Sequence, residues 1–207
     1  MDRRLLIGVT HVYEKQEIKN VKSCLREDDH PLSVGLELPD DYKERRKLGI
    51  RFATFTALEN YFTNQFGSTI IPLDTPTLAD ERYCIGTALE IVTFKTQKKF
   101  YKEKTGLEQQ LTDMSAFSAP ERTLTLEHYL KRYRRVAELI ESGKNRAYFQ
   151  KEFNDLIKAS DKIMIKRIVK DDPEIVIIGG GHARNIMTSL PRYRYLQFAS
   201  FESYFES

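Results

Sequence analysis

Two apolar, strand-like segments of this chain end in the same short motif, Gly-x-x-His. Gly8-Val9-Thr10-His11 closes one near the N-terminus, and Gly179-Gly180-Gly181-His182 closes the other near the C-terminus. The chain has only 4 histidines, so two in one local context form a pattern. A neutral imidazole is a common metal ligand and a general base near neutral pH. If both strands lie parallel in one sheet, both imidazoles reach the edge where α/β proteins bind their ligands.

Glu37 is a charged residue inside the apolar segment 34–38. Burial of an unpaired carboxylate is costly, so such a residue is usually paired, protonated or bound to a metal. The alternative is a strand glutamate that points to solvent. Its position before Pro39 predicts that Glu37 ends a strand at the same edge as His11 and His182. Two histidines and one carboxylate predict a site for a divalent ion (Mn, Co or Zn), with positions left for water and substrate.

Asp74 and Arg184 are the next candidates. Asp74 ends a third apolar segment and could be a fourth metal ligand or an acceptor that orients an imidazole. The alternative is a turn or helix cap, because Thr75 and Pro76 follow it. Arg184 follows His182 by two residues and could clamp an anionic substrate or stabilise developing negative charge. A solvated surface arginine remains the alternative.

The glycines of the second motif permit another interpretation. A loop of Gly179, Gly180 and Gly181 between strand and helix could bind a phosphate-containing cofactor through backbone N–H groups. The segment lacks the spacing of a P-loop or a dinucleotide-binding motif. Two basic segments with interleaved tyrosines, 131–135 and 192–195, could contact nucleic acid. The net charge of +3 is too small to predict that partner by itself.

The elements that must position these residues alternate along the chain. The pattern predicts strands and helices at the following places: strands at 3–10, 32–38, 69–74, 174–178 and 194–198; helices at 14–26, 41–66 (in one or two pieces), 79–104, 123–142, 145–170 and from 183; a loop at 105–121. This order predicts an α/β fold with a central, mostly parallel sheet and helical cover. The length predicts one domain over 1–207, in which about 79–170 form a helical insertion or cap.

Composition restricts the setting in which such a site would work. No segment is apolar and long enough to predict a membrane span. Cys24 and Cys84 lack metal-type spacing and predict reduced thiols in a cytoplasmic protein. A peptide or a small molecule is the expected substrate. The sequence is compatible with a monomer or a homo-oligomer.

Taken together, these motifs resemble the TraB/PrgY/GumN family. The resemblance rests on Gly8-x-x-His11, on Glu37 in Gly35-Leu36-Glu37-Leu38, on the strand that ends in Asp74, and on the final Gly-x-x-His182. The segment Asp161-Lys162-Ile163-Met164 is similar to the Arg-Asp-x-x-Met segment that precedes the last motif of the family. The family belongs to a wider superfamily with the Tiki proteins, the erythromycin esterases and the ChaN-like proteins.

The resemblance implies an erythromycin-esterase/ChaN-like α/β fold and a site built from both histidines and the glutamate. In Tiki members that site is similar to a metal-dependent protease centre. It therefore implies a metal-dependent hydrolase that cleaves a peptide or amide bond. The chain departs from the family at Ser160 and Thr75, where the family has arginines. The alternative function is a regulatory or binding module without catalysis, which uses the same pocket for an anionic ligand, a protein or nucleic acid.

Overall fold

The structure is a computed structural model. It describes residues 4–9, 14–26, 29–47, 53–79, 81–82, 85–86, 89, 135, 138–139 and 145–197. The chain divides into two compact units: one comprises Met1–Tyr42, Arg51–Thr75 and Ser160–Ser207, and the other comprises Lys43–Ile50 and Pro76–Ala159. The expectation of a single domain with an insertion at about 79–170 stays a prediction. The first unit holds the sheet and every described candidate residue.

Five strands form one sheet in the first unit. They are β1 (Arg4–Val9), β2 (Ser33–Pro39), β3 (Thr69–Asp74), β4 (Ile175–Gly179) and β5 (Tyr193–Gln197). Their spatial order is β3-β2-β4-β1-β5, and each neighbouring pair is parallel. The prediction of an α/β fold with a mostly parallel sheet is confirmed.

The strand sequences explain this arrangement. The three inner strands are nearly continuous apolar runs, and β4 is buried along its whole length, as expected for strands covered on both faces. Pro72 lies in β3, which is an edge strand. Proline cannot donate to a ladder, so an edge is where a sheet tolerates it. The position of Pro72 on an edge strand agrees with this restriction.

The described helices include α1 (Glu14–Cys24), α2 (Tyr42–Lys47), α3 (Ala53–Phe66), α4 (Arg146–Asp171) and α5 (Gly180–Ile186), followed by a 3-10 turn at Met187–Ser189. Helical residues of the first unit cover both faces of the sheet. One apolar core joins α1 and α3 to β1, β2 and β4 through side chains such as Val21, Phe62 and Leu36. The other joins α4 and α5 to the opposite face through Met164 and Ile186.

The structure differs from the sequence-based expectation in the glycine segment. The sequence predicts a helix from near Ala183, and one interpretation places a loop at 179–181. Instead β4 ends at Gly179 and α5 begins at Gly180 without a loop. A Cβ on Gly8 would lie 3.1 Å from the Gly180 Cα, so glycine at position 8 lets the new helix start directly against β1.

Several predictions concern parts of the chain that lie outside the described residues. These are His11, Cys84, the loop at 105–121 and most of the helices at 79–104 and 123–142. Cys24 is half-buried in α1, and its Sγ donates to the Asn20 carbonyl at 3.4 Å. In the part of the chain that the structure describes, no helix combines the length and apolarity that a membrane crossing requires.

Candidate functional site

Three described candidates, Glu37, Asp74 and His182, lie at or just beyond the carboxyl ends of the parallel strands. Leu36 and Leu38 of β2 face the core formed with α1 and α3, so alternation places Glu37 on the face covered by α4 and α5. Asp74 is the last residue of β3, and His182 lies in α5, three residues after the end of β4. We call the end of the sheet formed by the carboxyl ends of its strands the upper edge, and the end formed by their amino ends the lower edge.

His182 is buried in the first turn of α5, where its side chain is 7% exposed. Its Nδ1 lies 2.5 Å from Asp161 Oδ1 on α4. The carboxylate can only accept, so Nδ1 carries the proton and donates it. Asn185 Nδ2 donates to the other oxygen, Asp161 Oδ2, at 2.9 Å. Both oxygens of Asp161 are thus bonded, and the ring of His182 is held in one orientation.

Glu37 approaches the same imidazole from the opposite side. Its Oε2 accepts a hydrogen bond of 2.6 Å from the Gly179 backbone N–H. Its Oε1 lies 3.6 Å from His182 Nε2, which is longer than a hydrogen bond. The Glu37 side chain is 10% exposed. Two carboxylates thus converge on one buried imidazole, one bonded to Nδ1 and the other facing Nε2.

The 3.6 Å separation fits a shared cation. Two donors bound to one zinc-like ion at about 2.0–2.2 Å and a tetrahedral angle lie about 3.3–3.6 Å apart. An imidazole that binds a metal usually donates its other N–H to a carboxylate, as His182 does to Asp161. A doubly protonated His182 would instead form an ion pair with Glu37. The arrangement can therefore serve as a cation site or as a proton-accepting pair.

His11, the expected third ligand, lies outside the described residues. Its strand is nevertheless placed: β1 pairs with β4 in parallel, with Val9 opposite Gly179. The condition that both Gly-x-x-His strands lie parallel in one sheet is met. Within the described residues, no group of three or more His, Cys, Asp or Glu side chains has the arrangement of a metal site. A three-ligand centre would therefore need a residue beyond this part of the chain.

Asp74 and Arg184 have different surroundings from His182. Asp74 is 1% exposed, and its Oδ1 accepts a hydrogen bond of 2.8 Å from the Thr75 N–H. This local bond agrees with the turn interpretation of the sequence. Arg184 lies on the exposed side of α5. The roles of Asp74 as a ligand and of Arg184 as an anion clamp stay predictions.

The glycine segment has a partner that the sequence did not suggest. The N–H of Gly179, one of the groups expected to hold phosphate, donates to Glu37 instead. A carboxylate at this helix start occupies the place of an anion and repels a second one. The expected binding of a phosphate by Gly179, Gly180 and Gly181 stays a prediction, and this contact argues against it.

The sequence patterns did not identify Asp161 as a site residue, although Asp161-Lys162-Ile163-Met164 carries part of the family resemblance. A signal was present: Asp161, Met164 and Ile168 are spaced three and four residues apart, which places a carboxylate on an apolar helix face. Met164 and Ile168 are fully buried and Asp161 is 8% exposed. The preceding Ser160 is fully buried too, and its Oγ has no hydrogen-bond partner among the described residues.

Comparison with known proteins adds no relative to this picture. No protein-family model, no curated protein and no solved structure matches the chain. The resemblance to the TraB/PrgY/GumN family therefore rests on the motifs of the sequence alone.

Proposed function

We propose that this protein is a metal-dependent hydrolase of the TraB/Tiki type, with an erythromycin-esterase/ChaN-like fold, that cleaves a peptide or amide bond. One observation carries the proposal: His182 is fixed through Nδ1 by Asp161 while its Nε2 faces Glu37 Oε1 at 3.6 Å. An oriented imidazole and a nearby carboxylate are the donor set that a divalent ion such as Zn, Mn or Co accepts.

Each described residue has a separate part in this proposal. His182 and Glu37 hold the cation, together with His11 from the end of β1. Asp161 orients the ring through Nδ1, which directs Nε2 toward Glu37. The Gly179 N–H holds Oε2 of Glu37, which directs Oε1 toward the imidazole. When bound, the metal supplies a water of lowered pKa and polarises the scissile carbonyl. Glu37 can alternatively accept the proton of that water as a general base.

The alternative is a binding or regulatory module without catalysis. An anionic ligand is the less suitable occupant, since Glu37 already accepts from Gly179 at the start of α5. A cation-binding module without turnover would use the same residues as the hydrolase. The two functions therefore differ in turnover and not in binding.

The test is hydrolysis in water enriched in ¹⁸O. The protein, loaded with Zn²⁺, Mn²⁺ or Co²⁺, is incubated with a mixed peptide library, and products are read by mass spectrometry. A hydrolase places one ¹⁸O atom in each new carboxyl group, and Glu37→Gln abolishes the signal. Glu174→Gln is the matched control, because Glu174 also accepts a backbone N–H but at the opposite end of β4. A metal-loaded protein with no products would favour the binding module.

A further inference from the structure

Arg167 of α4 contacts the ends of two strands that carry candidate residues. Its Nη1 and Nη2 donate to the two carboxylate oxygens of Asp40 at 2.6 and 2.7 Å. Nη1 also donates to the backbone carbonyls of Pro72 and Asp74, each at 3.0 Å. Asp40 directly follows β2, and Pro72 and Asp74 belong to the end of β3. One guanidinium therefore joins the upper ends of β2 and β3.

These contacts lie beside an irregular part of the sheet. The register between β2 and β3 shifts between Leu36 and Pro39, and the pairing of β2 with β4 ends at Leu36 opposite Ile177. Glu37 lies inside this interval. Regular pairing therefore stops at the residue before Glu37. Beyond it, the ends of β2 and β3 are joined by the pairing of Pro39 with Asp74 and by Arg167, which bonds the Asp40 side chain and the β3 carbonyls.

We infer that Arg167 is a positioning residue for the proposed cation site, which it serves by fixing the end of β2 that carries Glu37. This inference rests on the proposed function, because it assumes that Glu37 binds a cation. A bidentate pair with a carboxylate requires the planar guanidinium fork of arginine. The second N–H of Nη1 remains to donate to the two carbonyls. Lysine keeps the charge but has no fork. Charge alone would be satisfied by either residue, whereas positioning needs arginine.

The chain offers a matched control at the opposite edge. Arg4 forms an ion pair with Asp172, and that pair is also partly buried. Arg4 lies at the beginning of β1, away from the strand ends that carry Glu37 and Asp74. Arg4→Lys therefore changes another arginine–aspartate ion pair without touching the upper edge.

The experiment compares wild type, Arg167→Lys, Arg167→Ala and Arg4→Lys. The first measurement is the ¹H–¹⁵N shift of the Gly179 amide, whose N–H reports the position of the Glu37 carboxylate, and of the Thr75 amide, which reports Asp74. The second is the affinity for Zn²⁺ and Mn²⁺ by isothermal titration. We expect both Arg167 variants to shift both amides and to weaken cation binding about tenfold, as loss of an outer support does. Arg4→Lys should leave both amides in place.

Two results would overturn the inference. One is an Arg167→Lys protein whose Gly179 amide is unchanged, because the fork would then be unnecessary for Glu37. The other is an equal shift in Arg4→Lys, which would reduce the effect to general loss of stability. If wild type binds neither ion, the proposed function fails, and the amide shifts still decide whether Arg167 positions Glu37.

Discussion

The strand pair β2 and β4 carries a carboxylate bound to backbone at each end. At the upper edge, Glu37 accepts from the Gly179 N–H at 2.6 Å. At the opposite, lower edge, Glu174 accepts from the Leu32 N–H at 2.8 Å. The first hydrogen bond joins a β2 side chain to the backbone at the end of β4. The second joins the side chain that precedes β4 to the backbone that precedes β2.

The surroundings of the two carboxylates differ. Near Glu174 the charges alternate: Asp172 pairs with Arg4 and lies 3.5 Å from Arg192. These pairs are partly exposed and join the chain segments that enter the sheet. At the upper edge, Glu37 and Asp161 approach one buried imidazole, at 3.6 and 2.5 Å. The cluster around Asp172 pairs an acid with bases, whereas around His182 two acids approach one histidine, which is an arrangement that favours a cation.

The largest expected effect comes from exchanging the two carboxylates for amides. Glu37→Gln should weaken Zn²⁺ or Mn²⁺ binding by more than about 100-fold, since it removes a charged donor rather than an outer support. Glu174→Gln should leave the affinity unchanged, because its Oε2 accepts from the Leu32 N–H at the opposite end of β4 from Glu37. Isothermal titration of both variants measures the difference. Equal affinities would mean that the two edges do not differ in function.

Asp161→Asn should produce the next largest effect. The neutral amide accepts more weakly from His182 Nδ1, so the ring loses orientation and basicity, and cation affinity should fall about 10–100-fold. Asp155→Asn is the control, because Asp155 lies on the same helix and only pairs with Lys158 at 3.7 Å on the surface. The affinity is again read by titration. An effect of the same size in the control would remove Asp161 from the site.

The packing of α5 on β1 provides a test of stability. A Cβ on Gly8 would lie 3.1 Å from Gly180 Cα and 3.3 Å from Ala183 Cβ, so Gly8→Ala must displace α5. We expect a loss of about 1–3 kcal/mol in the free energy of unfolding, the usual cost of overpacking. Gly181→Ala meets nothing within 4 Å. It should be neutral or stabilising by up to about 1 kcal/mol, because alanine favours a helix over glycine.

Urea denaturation of the two variants measures both values. A Gly8→Ala protein as stable as Gly181→Ala would show that α5 does not need the close approach to β1. The cation affinity should follow the same order, since α5 carries His182.

The smallest effect concerns the lower edge at high pH. Burial raises the pKa of Tyr193 from 10.0 to about 12, and Asp172 adds to the rise. The folded state therefore favours the neutral phenol, which donates to the Pro173 carbonyl at 2.6 Å. Its stabilisation is complete below pH 10 and is lost as pH rises from 10 to 12. The free energy of unfolding of wild type minus that of Tyr193→Phe should fall over this interval. A constant difference would contradict the assignment.

Much of the fold could be predicted from local pattern. The runs 5–7 and 175–178 are apolar without interruption, which predicts inner strands of a parallel sheet, and Pro72 predicts an edge. The end of β4 was harder, because a run of glycines is compatible with a loop or a helix start. The close approach of Gly8 to Gly180 decides between them, and it joins residues more than 170 positions apart.

The candidate site was predictable in part for the same reason. Glu37 and His182 stand out because each is a polar residue at the end of an apolar run, and the structure brings them together. Asp161 lies in a long helix with many charged residues, so the one carboxylate on its apolar face does not stand out in the sequence. Arg167 acts through carbonyls of Pro72 and Asp74, and backbone acceptors leave no signal in a sequence.

The most direct test of the central claim is the metal content of purified protein by mass spectrometry after incubation with Zn²⁺, Mn²⁺ or Co²⁺. Wild type is compared with His182→Ala, and His30→Ala is the matched control because His30 is exposed and its ring makes an edge contact with Phe66. The account predicts close to one ion per chain in wild type and in His30→Ala, and none in a folded His182→Ala protein. A wild type without metal, or a His182→Ala protein that retains it, would contradict the account.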